Sequence, residues 1–161
     1  MNVFDCAIKI EEEAKKYYEG LEAVSHQPEQ KHLFSMLAAS EEEHRNNLIR
    51  MKASMATAMA HLDGLDGTAC SFRPLLTQRE LLQESENDPD LYRFTVREEE
   101  NEIRFYEELA SIAGDEVTRK SLLMVAEEER RHLATVENIY AFVEAPRSYL
   151  AWGEFSNLHE L

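Results

Sequence analysis

The stretch Leu37-Ala38-Ala39-Ser40-Glu41-Glu42-Glu43-His44 returns 88 residues later as Val125-Ala126-Glu127-Glu128-Glu129-Arg130-Arg131-His132. In each copy a Glu and a His stand three residues apart, close to one helical turn, on the stripe marked out by the neighbouring apolar residues. The same offset carries Glu11 onto Glu99, Tyr18 onto Tyr106, Leu21 onto Leu109 and Met36 onto Met124 without a gap. Helices duplicated for packing alone would keep the leucines, methionines and alanines. They would not keep two acids and an imidazole on the buried face of each half.

Working outward from these motifs, apolar residues spaced alternately three and four apart define four seams. The first runs Phe4, Ala7, Glu11, Ala14, Tyr18, Leu21, and the second Phe34, Leu37, Glu41, His44, Leu48, Met51, Met55. The third runs Tyr92, Thr95, Glu99, Glu102, Tyr106, Leu109, and the fourth Leu122, Val125, Glu129, His132, Val136, Ile139, Val143. Every seam is interrupted at its middle by acid or imidazole. With about 1.5 Å of rise per residue the interruptions fall at one level, so Glu11, Glu41, Glu99, Glu102, Glu129, His44 and His132 converge on one axis.

Turn signals bound these helices. The first is expected over about Phe4 to Val24, ending at Ser25-His26-Gln27-Pro28, and the second from Pro28 to about His61, before Gly64 and Gly67. A long crossover over 63–88 carries one short helical piece around Leu75 to Leu82. Asp88-Pro89 suits the start of a third helix ending at Gly114, and Asp115 can cap a fourth that runs to about Val143, before Ala145-Pro146. Two helical hairpins joined by such a crossover describe an all-α, ferritin-like four-helix bundle. The expectation is one domain over 1–161, with the bundle over about 4–143 and a tail over 144–161. Tyr149, Trp152 and Phe155 of the tail are expected to pack on the bundle or on a second subunit.

The composition narrows the function. The chain has 161 residues and 32 acidic against 17 basic side chains, a formal charge of −15 that repels phosphate backbones and anionic lipid. Neither nucleic acid nor a membrane is an expected partner. The longest apolar runs fall far short of the roughly 18 residues of a membrane span, and Met1-Asn2-Val3-Phe4-Asp5 has no basic character, so a cytoplasmic protein is expected. Cys6 and Cys70 form no Cys-x-x-Cys pair, and both are expected to be buried free thiols.

Five carboxylates cannot converge unaided, because each buried ion costs several kcal/mol and like charges raise one another's pKa. Cations must be there, or protons. Carboxylate oxygen with imidazole nitrogen and no thiolate suits iron, manganese or zinc, and seven such ligands suit two ions about 3.5–4 Å apart. A third Glu-x-x-His, Glu29 and His32, lies near a helix start and has Val117 and Lys120 at its repeat positions. It is read as a solvated turn.

The segments from Ala7-Ile8-Lys9-Ile10-Glu11 to Tyr17-Tyr18, from Leu37 to His44, from Glu99 to Phe105-Tyr106 and from Ala126 to His132 resemble the four helices of the rubrerythrin branch of the ferritin-like superfamily. The resemblance implies a carboxylate-bridged di-iron centre that reduces hydrogen peroxide or dioxygen. On that resemblance Glu41 and Glu129 bridge two irons, Glu11 and Glu99 are terminal ligands, and His44 and His132 complete the set. Glu102 matches the extra rubrerythrin Glu one turn after the helix-three ligand, which exchanges with a nearby His when the redox state changes. Its repeat partner is the small Ala14, which leaves room for that movement.

Tyr18 and Tyr106 stand one step further along the seams, where a hydroxyl can hydrogen-bond a ligand carboxylate or simply sit satisfied in the core. Rubrerythrins proper also carry a rubredoxin-like domain with two Cys pairs binding an iron, and these 161 residues contain no such pairs. An external electron donor is therefore expected, with a homodimer as the assembly. An iron-binding, ferroxidase or storage protein without peroxidase activity is the alternative, and a structural bundle with an adventitious metal is a third.

Overall fold

The computed structural model describes the backbone of residues 1–54, 68–87 and 91–160, and their side chains except at 85–87, 91, 92, 140 and 142–160. The expected roles of Met55, Asp88-Pro89, Val143 and the side chains of Tyr92, Tyr149, Trp152 and Phe155 fall outside the described residues.

Among the described residues five helices follow in order: α1 (Val3–Val24), α2 (Pro28–Ala53), α3 (Gln78–Asn87), α4 (Leu91–Ile112) and α5 (Glu116–Glu160). Their ends follow capping chemistry. The Asn2 side chain accepts from the Phe4 amide at 2.8 Å, Pro28 opens α2, and Asp115 accepts from the Thr118 amide and hydroxyl at 2.8 and 2.7 Å. With such short turns between them, α1 packs on α2 and α4 on α5 as two hairpins, and α2 meets α5 across the middle.

Two helix ends differ from expectation. The short crossover helix begins at Gln78, later than Leu75, because Thr77 and Glu80 form a reciprocal capping box: the Glu80 amide donates to Thr77 Oγ1 at 3.2 Å and the Thr77 amide to Glu80 Oε2 at 2.9 Å. Its leucines therefore enter from the second turn. The last helix does not stop before Pro146 but continues to Glu160. A proline removes one donor and costs about 3 kcal/mol, without forbidding helix on either side of it. The second helix is described as far as Ala53, with Arg50 and Lys52 in its last turn, where cations suit the carbonyl end, and its expected stretch to His61 lies outside the described residues.

The two cysteines also depart from expectation. Cys6 of α1 and Cys70 of the crossover, Cα atoms 5.1 Å apart, are joined as a disulfide rather than standing as free thiols. Residues 70–78 are also tied to the bundle by polar contacts. Lys9 Nζ donates to the Cys70 carbonyl at 2.6 Å, the Phe72 amide to Glu13 at 2.9 Å and Tyr17 to the Leu76 carbonyl at 2.8 Å. Gln78 Nε2 donates to the Tyr17 carbonyl at 2.9 Å, over Gly20, where any Cβ would collide with the amide. No described helix is long and apolar enough to cross a membrane.

The apolar core is divided. One cluster gathers Phe4, Ala7, Leu48, Tyr106, Leu122 and Val125, and the other Tyr18, Leu21, Phe34, Leu37, Leu81 and Val136. Between them, at the level set by the interrupted seams, lies the layer of acids and imidazoles.

Candidate metal centre

The bundle brings all seven expected ligands together. Glu11 comes from α1, Glu41 and His44 from α2, Glu99 and Glu102 from α4, and Glu129 and His132 from α5. Six are buried and Glu102 is half-buried, with its Oε2 atom out of reach of solvent. Three overlapping groups emerge: Glu11, Glu41, His44 and His132; Glu99, Glu129 and His132; and Glu11, Glu102 and Glu129. Within each group one ligand atom per residue lies within 4.8 Å of the others. The remaining Glu-x-x-His pair, Glu29 and His32, is exposed at the start of α2 and joins none of them.

Several of these atoms approach one another without bonding. His44 Nδ1 lies 3.1 Å from Glu11 Oε2 and its Nε2 3.5 Å from Glu129 Oε1, yet neither nitrogen has a hydrogen-bond partner among the described residues. Both oxygens of Glu11 and of Glu129, with Oε2 of Glu41 and of Glu102, are likewise buried and without a partner. His132 is held differently. Its Nδ1 is hydrogen-bonded to Glu99 Oε2 at 2.9 Å and its Nε2 to Ser40 Oγ at 2.9 Å.

The electrostatics without cations are adverse. Burial, then repulsion among Glu11, Glu99 and their neighbours, pushes the carboxyls of Glu41, Glu102 and Glu129 well above the ordinary carboxylate range. Burial acts on Glu11 in the same sense, but the charge of His44 beside it prevails and holds it low. For His132 burial disfavours the charged ring, yet Glu99 outweighs it and raises the imidazole to about 9. Orphaned buried acceptors of both O and N type, clustered at coordination spacing, fit divalent cations far better than protons.

Around this cluster the tyrosines take separate parts. Tyr106 is fully buried, its hydroxyl unpartnered among Glu129, Glu102, Glu11 and Glu99, and burial followed by those charges raises its pKa strongly. Tyr18 donates its hydroxyl to Glu98 Oε2 at 3.1 Å rather than to an expected ligand. The Glu98 carboxylate also accepts from the Leu75 amide at 3.2 Å, and burial lifts its pKa to about 7.

Sequence reasoning passed over Glu98 and Ser40. Glu98 carried a signal, since its repeat partner is Ile10 and an acid at a matched apolar position is the anomaly that exposed Glu102 opposite Ala14. Ser40 carried little, being one small polar residue in an acidic run.

Two cavities approach the cluster from different sides. One of about 490 Å³ lies between α2 and α5, reaching His44 and His132 past Ser40, Asn47, Met51 and Arg131. The other, about 230 Å³, lies beside the crossover and reaches Glu102 past Phe72, Arg73 and Asn101.

A four-helix bundle that buries a Glu from each of two helices and a Glu-x-x-His from each of the other two defines a ferritin-like protein with a carboxylate and histidine metal-ligand set. The chain belongs to the rubrerythrin family, whose family model matches residues 2–140. No curated protein and no solved structure matches it significantly. The family is metal-binding, and this chain carries candidate ligand groups for a metal.

Proposed function

We propose that this chain is a di-iron redox protein that reduces hydrogen peroxide, and more slowly dioxygen, at a carboxylate-bridged centre. Glu41 and Glu129 would bridge, Glu11 and Glu99 would be terminal ligands, and His44 and His132 would complete the two ions, with manganese or zinc as other possible occupants. Two ferrous ions held there would supply the two electrons that, with two protons, reduce a peroxide to two waters.

The observation that carries the reading is the placing of Glu102. Glu11 shares one ligand group with His44 and another with Glu102 and Glu129, so an ion beside Glu11 has an imidazole or a carboxylate on offer. A carboxylate favours the higher charge of an oxidised ion. Ala14, one turn from Glu11 on α1, adds little bulk to the space such a movement needs. Tyr106, with its unpartnered hydroxyl among the same carboxylates, is a donor for a ligand oxygen that moves. Tyr18 positions Glu98 beside the ligand Glu99.

The proposal includes an external electron donor, a homodimer and a cytoplasmic location, which reconstitution with candidate donors, light scattering and cell fractionation check. The central test is stopped-flow oxidation of the anaerobically reduced, iron-loaded protein. Oxidation by peroxide at least tenfold faster than by dioxygen is expected. Equal rates would remove the peroxidase reading and leave iron oxidation or storage.

A further inference from the structure

We infer that Cys6 and Cys70 form a two-electron reserve for the metal centre, a dithiol that closes to the disulfide as it returns electrons to the oxidised ions. The inference rests on the di-iron reading above.

Three observations support it. The first is position. Cys6 precedes Glu11 by five residues on α1, about 7.5 Å along the helix, and Cys70 is packed beside it. Both are buried in the cluster that contains Leu48, one turn beyond His44, and Ala126, one turn before Glu129.

The second observation is continuity. Tyr106 belongs to that same cluster, while its hydroxyl lies unpartnered among Glu129, Glu102, Glu11 and Glu99. Tyr106 thus belongs to the cluster that holds both sulfurs and carries its hydroxyl among the candidate ligand carboxylates.

The third concerns what the bond is for. Residues 70–78 are already held to α1 by Lys9, Glu13, Tyr17 and Gln78, and to α4 by Glu98. Residues 70–78 thus have polar ties to the bundle besides the sulfurs, ties that an open pair would keep. In the proposed cytoplasmic setting such pairs are redox-active rather than permanent.

The chemistry balances. One peroxide takes two electrons from two ferrous ions and two protons, giving two waters and two ferric ions. The two thiols then lose two protons and two electrons, their sulfurs bond, and both irons return to ferrous. A second peroxide oxidises the irons again. The fully reduced protein therefore consumes two peroxides where its metal centre alone accounts for one.

The test uses the whole protein, reduced with dithiothreitol, freed of the reagent, loaded with ferrous iron without oxygen and titrated with hydrogen peroxide. Peroxide consumed is measured beside the thiols left for alkylation, counted by mass. About two equivalents consumed, with both thiols lost at least tenfold faster than in the metal-free protein, is the expected result, and Cys6→Ser with Cys70→Ser should consume about one. If one equivalent oxidises the irons and the thiols survive, or if metal-free protein loses its thiols as fast, the reserve is overturned while the peroxide chemistry stands. Failure of peroxide to oxidise the irons would overturn both readings. The loaded and metal-free comparison needs no variant, so a misfolded double mutant does not decide the matter.

Discussion

His44 and His132, from different hairpins, lie face to face with ring centroids 4.4 Å apart and planes inclined by 15°. The duplicated motifs thus place both imidazoles on the side of the centre where α2 meets α5. The carboxylates of Glu11, Glu99 and Glu102 come from the opposing pair, α1 and α4. The centre therefore has a nitrogen side and an oxygen side, each with its own cavity, and the extra acid of the second half stands on the oxygen side.

This pairing predicts unequal effects for the three Glu-x-x-His motifs. Glu41 and Glu129 each lie in a group with a histidine and with a carboxylate from another helix, so Glu41→Ala or Glu129→Ala should abolish binding of both ions. Glu29→Ala, at an exposed site, should leave metal content unchanged. Elemental analysis per chain, on protein purified without oxygen, distinguishes these outcomes. Full metal content in either of the first two variants would place the ions elsewhere.

The layer of acids and imidazoles was legible because burying charge conflicts with the seam that places it there, and because the conflict occurs twice. Glu11, Glu41, His44, Glu99, Glu129 and His132 all sit at matched positions, and Glu102 was visible as a mismatch. Helix ends were legible where a cap or proline governs them, as at Pro28 and Asp115. At Thr77 the capping box is present in the sequence, immediately after Leu75-Leu76, which continue the apolar pattern N-terminal to the helix start. The Cys6–Cys70 bond joins residues 64 apart, and neither periodicity nor spacing encodes a contact made by a crossover folding back. Partners such as the Ser40 hydroxyl on His132 depend on side-chain directions across two helices, which no single seam contains.

Ser40 gives a test of how the second imidazole is aimed. Its hydroxyl is bonded to His132 Nε2, which also lies 3.8 Å from Glu41 Oε1, while Nδ1 faces Glu99 Oε2 at 2.9 Å. Loss of a group that orients a ligating histidine typically costs 10–100-fold in metal affinity. Ser40→Ala should therefore still bind two ions, one of them roughly 10–100-fold more weakly, in an anaerobic calorimetric titration. Two unchanged affinities would show that packing alone orients the ring.

Metal removal should leave a protein whose stability falls as pH rises. Glu98 is raised from 4.5 to about 7 by burial, so below 4.5 both folded and unfolded states carry its proton and no penalty arises. Between 4.5 and 7 the unfolded chain ionises while the folded one does not, and roughly 3 kcal/mol is lost. His132, raised from 6.5 to about 9, stabilises fully below 6.5 and loses that contribution as pH passes through 9. Both act in one direction, so the Tm of chelated protein should fall steadily from pH 5 to pH 9. Glu98→Gln should flatten the lower part of that slope.

Two ions at about 100 times their Kd add roughly 5 kcal/mol, or on the order of 10 °C in Tm at neutral pH, and reverse the slope because ligands must lose protons to bind. Thermal melts by circular dichroism, with and without chelator, measure each part. A chelated protein most stable at pH 9 would contradict the buried-acid account.

Glu102 is the residue on which the choice of oxidant turns. It shares a group with Glu11 and Glu129, its Oε2 is buried without a partner, and the matched position in the other half is Ala14. If its carboxylate replaces His44 beside Glu11 as the ions are oxidised, it stabilises the product of peroxide reduction more than the ferrous state. Removing it should therefore slow the oxidation while leaving six ligands to retain both ions. Glu102→Ala is expected to keep two metals per chain, to lose at least tenfold in the rate of oxidation by peroxide, and to narrow the preference for peroxide over dioxygen. Glu102→Asp, with the charge kept but the reach shortened by one methylene, should fall between. Stopped-flow absorbance with each oxidant, together with metal content, provides the comparison. Parent-like rates in Glu102→Ala would assign Glu102 to the wall of its cavity, and loss of metal would make it a permanent ligand rather than an exchanging one.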